Sequence, residues 1–289
     1  MTPTERRVHL RRNDVAVRIQ EVGDGAPVLF IHGGPGAAGS IWAYLVAQLQ
    51  GLRCLLVDRP GTGLSDPQLL EDPAAVRQEA ATLVADVFDG LGIDQGHLVG
   101  SSHGSFVALL SAAADPDRVD RTVHLGCPGF VENMTLTAFD RLALLPGAHQ
   151  VFGRLPTSQG SFRKTLRQLG HEATATAARI PQPFVDCSLA LHRHTDTMRN
   201  ELASMANMGT FRRGFDPSLT LDRATLGTVR SPSYFLWGDN DPYGGEGVAR
   251  DVVTAMPEAE LEMLPHGGHL CWFDDVDRAA TAIRTHLLG

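Results

Sequence analysis

Residues 100–104 read Gly-Ser-Ser-His-Gly, which sets Ser102 at the centre of a G-x-S-x-G spacing. A serine hydroxyl becomes a useful nucleophile toward a carbonyl only when a base takes its proton, and that base needs a partner to fix its tautomer. The chain supplies both further on. "FLWGDNDPYG" at 235–244 contains Asp239 and Asp241, and "LEMLPHGGHLCW" at 261–272 contains His266 and His269. Together these residues could carry acyl transfer through a covalent intermediate. Taken alone, the same glycine-flanked serine could be a small-residue turn where a strand packs on a helix. Ser101 and Ser105 sit off-centre and read as structural.

The elements around these residues decide between the two readings. "GHLVGS" at 96–101 is a short apolar strand, and a helix follows from about Ser102 until Asp115-Pro116 stops it. A serine between strand and helix stands on a sharp turn and projects above a sheet, and the N–H groups at a helix start favour developing negative charge. "PVLFIHGGPG" at 27–36 and "LRCLLVDRPGTGLSD" at 52–66 are further buried strands that end in glycine turns. Residues 72–92 form an amphipathic helix that opens on Asp72-Pro73 and closes on glycine. Strands alternating with helices imply an α/β fold with a mostly parallel sheet and helices on both faces. Residues 6–12 and 15–22 read as an edge hairpin. The final helix is expected from about Cys271 to Leu288.

The alternation breaks between residues 130 and 230, where helical patterns and prolines replace strand signals, and resumes at "SPSYFLWGD". The expected organisation is a core of residues 1–129 and 231–289 with a helical cap or lid inserted at 130–230. Such an insertion lies over the carboxyl edge of the sheet, where ligands bind. Both candidate loops, and therefore the acid and the base, leave the ends of later strands. The order Ser, Asp, His is the one this architecture uses.

Composition narrows the function classes. The 289 residues are 43% hydrophobic and 20% charged with a net charge of −8, which suits a soluble globular protein and gives no basic face for nucleic acid. The arginine-rich "ERRVHLRRND" at 5–14 reads as a solvated strand and turn. Four cysteines, Cys54, Cys127, Cys187 and Cys271, lack CxxC spacing and read as free thiols of a reducing compartment. With no apolar leader pattern and no membrane-length run, the expectation is a cytoplasmic protein without membrane or nucleic-acid partners. The sequence sets no oligomeric state. His192 and His194 lie two apart on a helical pattern, so they point to different faces and do not make a metal pair.

Over nearly all of its length apart from the insertion, the chain resembles the α/β-hydrolase superfamily. The resemblance rests on "HGGPG" at 32–36, "DRPGTGLSD" at 58–66, "GSSHG" at 100–104, "WGDNDP" at 237–242 and "GGHLCWFDD" at 267–275. It implies a serine hydrolase with Ser102 as nucleophile, Asp241 as acid and His269 as base, with Asp239 and His266 as the competing acid and base. It further implies an oxyanion hole from the backbone N–H groups of Gly34 and His103, and chemistry without metal or organic cofactor. His32, Asp58 and Arg59 are expected to shape the loop and floor of the site. A serine rather than an aspartate at the nucleophile position departs from epoxide hydrolases and dehalogenases of the superfamily and points to acyl chemistry.

The expected activity is hydrolysis of a small or medium acyl substrate, a carboxylic ester or lactone, as a serine esterase. "HGGPG" is also similar to proline iminopeptidases, but His103 and "DRPG" depart from their pattern. That alternative would need carboxylates for the substrate amine, with Glu172 and Glu201 as candidates. A carbon–carbon bond hydrolase is a second alternative, and a ligand receptor on the same fold is the non-enzymatic one.

Overall fold

In the computed structural model, which describes residues 3–153, 155–176 and 179–289, the strands of one sheet alternate their side chains between two apolar layers. They are β1 (Thr4–His9), β2 (Ala16–Val22), β3 (Ala26–Ile31), β4 (Leu52–Val57), β5 (Gly96–Gly100) and β6 (Val119–Leu125). After the two-residue ribbon of β7 (Gly209–Thr210) and β8 (Gly214–Phe215), the sheet is completed by β9 (Ser233–Gly238) and β10 (Ala259–Leu264). The order across the sheet is β1-β2-β4-β3-β5-β6-β9-β10. β1 and β2 form the expected antiparallel edge hairpin, β2 pairs antiparallel with β4, and the remaining neighbours are parallel.

Leu29 and Ile31 of β3 face one apolar layer, while Val28 and Phe30 face the other, and β4 divides Leu55 and Val57 from Cys54 and Leu56 in the same way. This period of two on both faces is the mark of a doubly covered parallel sheet. The first layer is completed by α2 (Pro73–Leu91), α3 (His103–Ala114) and α11 (Glu246–Thr254), and the second by α1 (Ala43–Val46) and α12 (Val276–Leu288). Asp72 caps α2 by accepting the Ala75 N–H at 2.7 Å, and Gly92 ends it in the left-handed region. The last helix starts later than its apolar pattern suggests. Residues Cys271–Phe273 form a 3-10 turn, and α12 begins after Asp275, whose carboxylate accepts the Arg278 N–H at 2.9 Å. No described helix is long and apolar enough to cross a membrane.

Between β6 and β9 the chain forms α4 (Ala138–Ala143), α5 (Ala148–Phe152), α6 (Gln159–Gln168), α7 (Glu172–Thr176), α8 (Gln182–His194), α9 (Thr197–Met205) and the single turn α10 (Arg223–Leu226), with the β7–β8 ribbon among them. Part of the insertion packs on itself, with Ala143, Leu144, Ala148, Leu189 and Leu202 buried outside both apolar layers, and other residues extend those layers. Leu166, Ala175 and Phe184 join the second apolar layer, and Phe130, Val131 and Met208 join the first. β4 lies on one side of β3 and β5 on the other, so the chain direction switches there and leaves a crevice outside the carboxyl ends of both strands.

Candidate active site

Ser102 follows β5 and opens α3 with φ 53° and ψ −121°, a backbone conformation that only glycine adopts freely. The turn is tight because neighbouring backbones come very close. A Cβ on Gly104 would lie 1.9 Å from the Ile31 carbonyl oxygen, and one on Gly100 would lie 2.7 Å from that of Gly104. The two glycines of the spacing are therefore steric requirements of the turn.

The candidate acid and base meet across the carboxyl ends of β9 and β10. His269 Nδ1 lies 2.8 Å from Asp241 Oδ2, and both residues are buried. Asp241 is fully used: Oδ2 also accepts the Cys127 N–H at 2.9 Å and Oδ1 accepts the Tyr243 N–H at 3.0 Å. With Asp241 ionised, the proton sits on Nδ1 and Nε2 is left to act as base. The Tyr243 ring stands 4.5 Å from the His269 ring. Burial, with the Asp241 charge adding to it, holds the Cys127 thiol well above the ordinary thiol range, so it does not compete as a nucleophile. Asp239 and His266, the competing acid and base, are both exposed, and no hydrogen bond joins either to the pair, among the described residues.

Two chambers open at Ser102. The larger, about 340 Å³, is bordered by His269, Gly34 and Tyr243 and by apolar side chains of the inserted helices such as Phe152, Leu166 and Phe184. The smaller, about 90 Å³, is also bordered by Gly34 and Tyr243, and by His103, Glu79 and a group of methionines. Gly34 thus borders both chambers, and His103, next to Ser102 in the chain, borders the smaller. As the first residue of α3, His103 has an N–H with no partner inside its helix. Its imidazole packs between Phe106 and Phe130, and burial together with the Arg59 charge keeps it uncharged. His32 is a loop member: Nδ1 bonds the Gly33 carbonyl at 2.6 Å and Nε2 accepts the Arg59 N–H at 3.2 Å.

Arg59 forms the floor of the crevice. Its guanidinium donates to the carbonyls of His32 at 3.1 Å and Gly33 at 2.8 Å and pairs with Glu201 of α9. Glu201 also accepts the Gly36 N–H at 2.8 Å. Burial lifts the Glu201 carboxyl above its usual range, opposed by Arg59 and by that N–H. Glu172 is exposed on the outer surface and pairs with Arg167. His192 packs on Gly36 beside the larger chamber and His194 is exposed. Among the described residues, no cluster of three or more His, Cys, Asp or Glu side chains could hold a metal.

One part of the site has no counterpart in the sequence reading. Residues 169–174 of the insertion grip the loop that carries His269. Leu169 O accepts the His269 N–H at 2.8 Å, and His171 Nε2 accepts the Leu270 N–H at 3.0 Å. His171 Nδ1 then donates to Asp274 at 2.7 Å, and Asp274 accepts the Gly268 N–H at 2.8 Å and the Thr174 hydroxyl. Three successive backbone N–H groups around the base are therefore held from the insertion, directly or through Asp274. Burial raises the Asp274 carboxyl, but these donors outweigh it and leave the group below the ordinary range. Gly170 fits between the acid and base loops, where a Cβ would lie 2.2 Å from the Asn240 carbonyl oxygen. A sequence signal for this clamp would have been a second His with an Asp at the same strand edge. His171 carries none, since its partners lie far along the chain.

Comparison with known proteins places these features in context. A model of the alpha/beta hydrolase family matches residues 28–283. The chain is similar to a 2-hydroxy-6-oxononadienedioate/2-hydroxy-6-oxononatrienedioate hydrolase of Pseudomonas putida, with 27% identity over 264 residues, covering 89% of this chain and 86% of that one. It is also similar to a 2-hydroxy-6-oxo-6-phenylhexa-2,4-dienoate hydrolase of Burkholderia cepacia, with 25% identity, covering 90% and 87%. In fold it resembles a meta-cleavage product hydrolase from Pseudomonas fluorescens IP01, with a TM-score of 0.76, 20% identity and coverage of 97% and 96%. It likewise resembles the naproxen esterase of Bacillus subtilis, with a TM-score of 0.72, 18% identity and coverage of 98% and 91%.

Proposed function

Because the chain belongs to the alpha/beta hydrolase family, we propose that it is a serine hydrolase acting through an acyl-enzyme, with residues 130–230 as its cap. The observation that carries this reading is the buried Asp241–His269 pair at 2.8 Å, in a chamber shared with a serine on a strained turn. Ser102 Oγ attacks the substrate carbonyl as His269 Nε2 takes its proton, and Asp241 holds the resulting imidazolium. The N–H groups of Gly34 and His103 receive the oxyanion, each worth roughly 3 kcal/mol to the barrier. His269 then gives its proton to the leaving group, and water releases the acyl group by the same route.

For the bond cleaved, we favour a carboxylic ester. The larger chamber is lined mainly by apolar side chains, and Arg59, which borders the smaller one, is already engaged by Glu201 and two carbonyls. A carbon–carbon bond hydrolase is the second reading, favoured by the activities in the names of the relatives. The aminopeptidase reading has less support, because Glu201 is paired with Arg59 and Glu172 faces outward.

Initial rates on nitrophenyl esters and on a 2-hydroxy-6-oxo-dienoate, with Ser102→Ala as the blank, test both readings. Ester turnover that disappears in the variant supports the first. A higher kcat/KM on the dienoate moves the assignment to carbon–carbon cleavage. Activity retained by Ser102→Ala overturns the mechanism.

A further inference from the structure

The two chambers at Ser102 differ in what borders them, and on the serine-hydrolase reading this difference assigns the two halves of the substrate. His269 borders the larger chamber and not the smaller. The leaving group takes its proton from His269, so it occupies the larger chamber. The acyl part is left with the smaller one.

The smaller chamber has an apolar wall and a polar end. Met134, Met205, Met208 and Phe215 form the wall, which suits a carbon chain or ring. At the polar end Glu79 of α2 is only 6% exposed, and its Oε2 has no hydrogen-bond partner among the described residues. Gln68, bordering the same chamber, hydrogen-bonds the Glu79 carboxyl through its side chain, while its own Oε1 has no donor. Orphaned buried acceptors cost free energy unless a ligand or water supplies the missing hydrogens. We propose that the smaller chamber binds an acyl group bearing a hydroxyl, and that this hydroxyl donates to Glu79.

The charges around Glu79 exclude the other candidate groups. A carboxylate placed there would face acceptors, with Arg59 already engaged by Glu201 and two carbonyls. An ammonium would draw Glu79 into its ionised form and bury two charges together, at the desolvation cost of both. Burial pushes the Glu79 carboxyl up to about 7, so near neutrality it is divided between its neutral and ionised forms. A neutral donor fits this environment.

The test uses p-nitrophenyl alkylphosphonates whose alkyl arm ends in methyl, hydroxyl, carboxylate or ammonium, over a range of arm lengths. Ser102 Oγ forms a bond to phosphorus as the bond to nitrophenolate breaks, and His269 takes the serine proton. The released nitrophenolate reports the rate. At the arm length that reaches Glu79, the hydroxyl arm should label Ser102 about tenfold faster than the methyl arm, and the carboxylate arm should be slowest. In Glu79→Leu the ratio of hydroxyl to methyl rates should fall to about one. Equal rates for hydroxyl and methyl at every length, meaning that water serves the acceptors, overturn the proposal. So does a hydroxyl preference that survives in Glu79→Leu, or a faster ammonium arm. If Glu79→Leu does not fold, the arms compared on the native protein and on Gln68→Leu decide. Absence of label on Ser102 from every arm would instead overturn the serine-hydrolase reading itself.

Discussion

Ser102 and Glu79 are two residues held in states that their type disfavours, and both can be tested as single substitutions. Ser102 keeps φ 53° whatever its side chain does, so Ser102→Ala should remove turnover without relieving the backbone. Ser102→Gly removes turnover and the strain together. It should unfold at a higher temperature than Ser102→Ala, by roughly 1 kcal/mol of stability; equal thermal midpoints would mean that the turn stores no strain. Glu79 has a folded-state pKa raised to about 7. The unfolded chain releases this proton near the ordinary carboxylate range of ~4.3, so between these values the native state binds more protons and stability falls as pH rises. Glu79→Gln should therefore gain stability over the native protein at pH ~8, by roughly 4 kcal/mol at most, and only about 1 kcal/mol of it at pH ~5. Denaturant melts at both pH values check the sign. The candidates Ser102, Asp241 and His269, which the fold brings to one chamber or one buried pair, could be picked out in the sequence because each stands in a short local motif at the end of an apolar strand. Glu79 was not, since one carboxylate in an amphipathic helix looks like any other on its polar face.

At the scale of elements, the strands and the helices of the core followed from periodicity, while the contacts of the insertion did not. Its helices are short; some of their apolar residues join the two layers of the sheet, while α4, α5 and α9 pack on one another. The grip of residues 169–174 on the base loop depends on partners such as His171 and Asp274, which no local pattern links. His171 acts here as a positioning residue, since it touches the loop and not the reacting atoms. His171→Phe leaves the Leu270 N–H and the Asp274 carboxylate short of a partner and lets the imidazole of His269 drift. The expected result is a fall in kcat of about tenfold or more with little change in KM, because small misplacements of a base are expensive in rate. A drop in thermal midpoint with unchanged kcat would show that His171 supports the fold alone.

Over the whole molecule, the insertion and the sheet are tied together by the buried pair of Arg59 and Glu201, from the loop after β4 and from α9. Glu201→Ala strands a guanidinium in the interior and should cost about 3–5 kcal/mol, whereas replacing both members by apolar residues should cost less than the single change. Chemical denaturation of the three variants decides, and a double replacement worse than Glu201→Ala would mean that the pair is a net source of stability. The spacing of the motifs could show that an insertion exists, but not that its carboxylate would find an arginine beneath the nucleophile loop. The clamp on residues 268–270 bears on how such a protein can diversify. An insertion is the part of a fold that can be exchanged between lineages to change what is recognised, provided the machinery beneath is indifferent to it. Here the machinery is not indifferent: a graft that replaces residues 169–174 without matching position 274 would leave the new enzyme with its specificity and no seated base. Exchange of caps at this scaffold must therefore move both segments as one inherited unit.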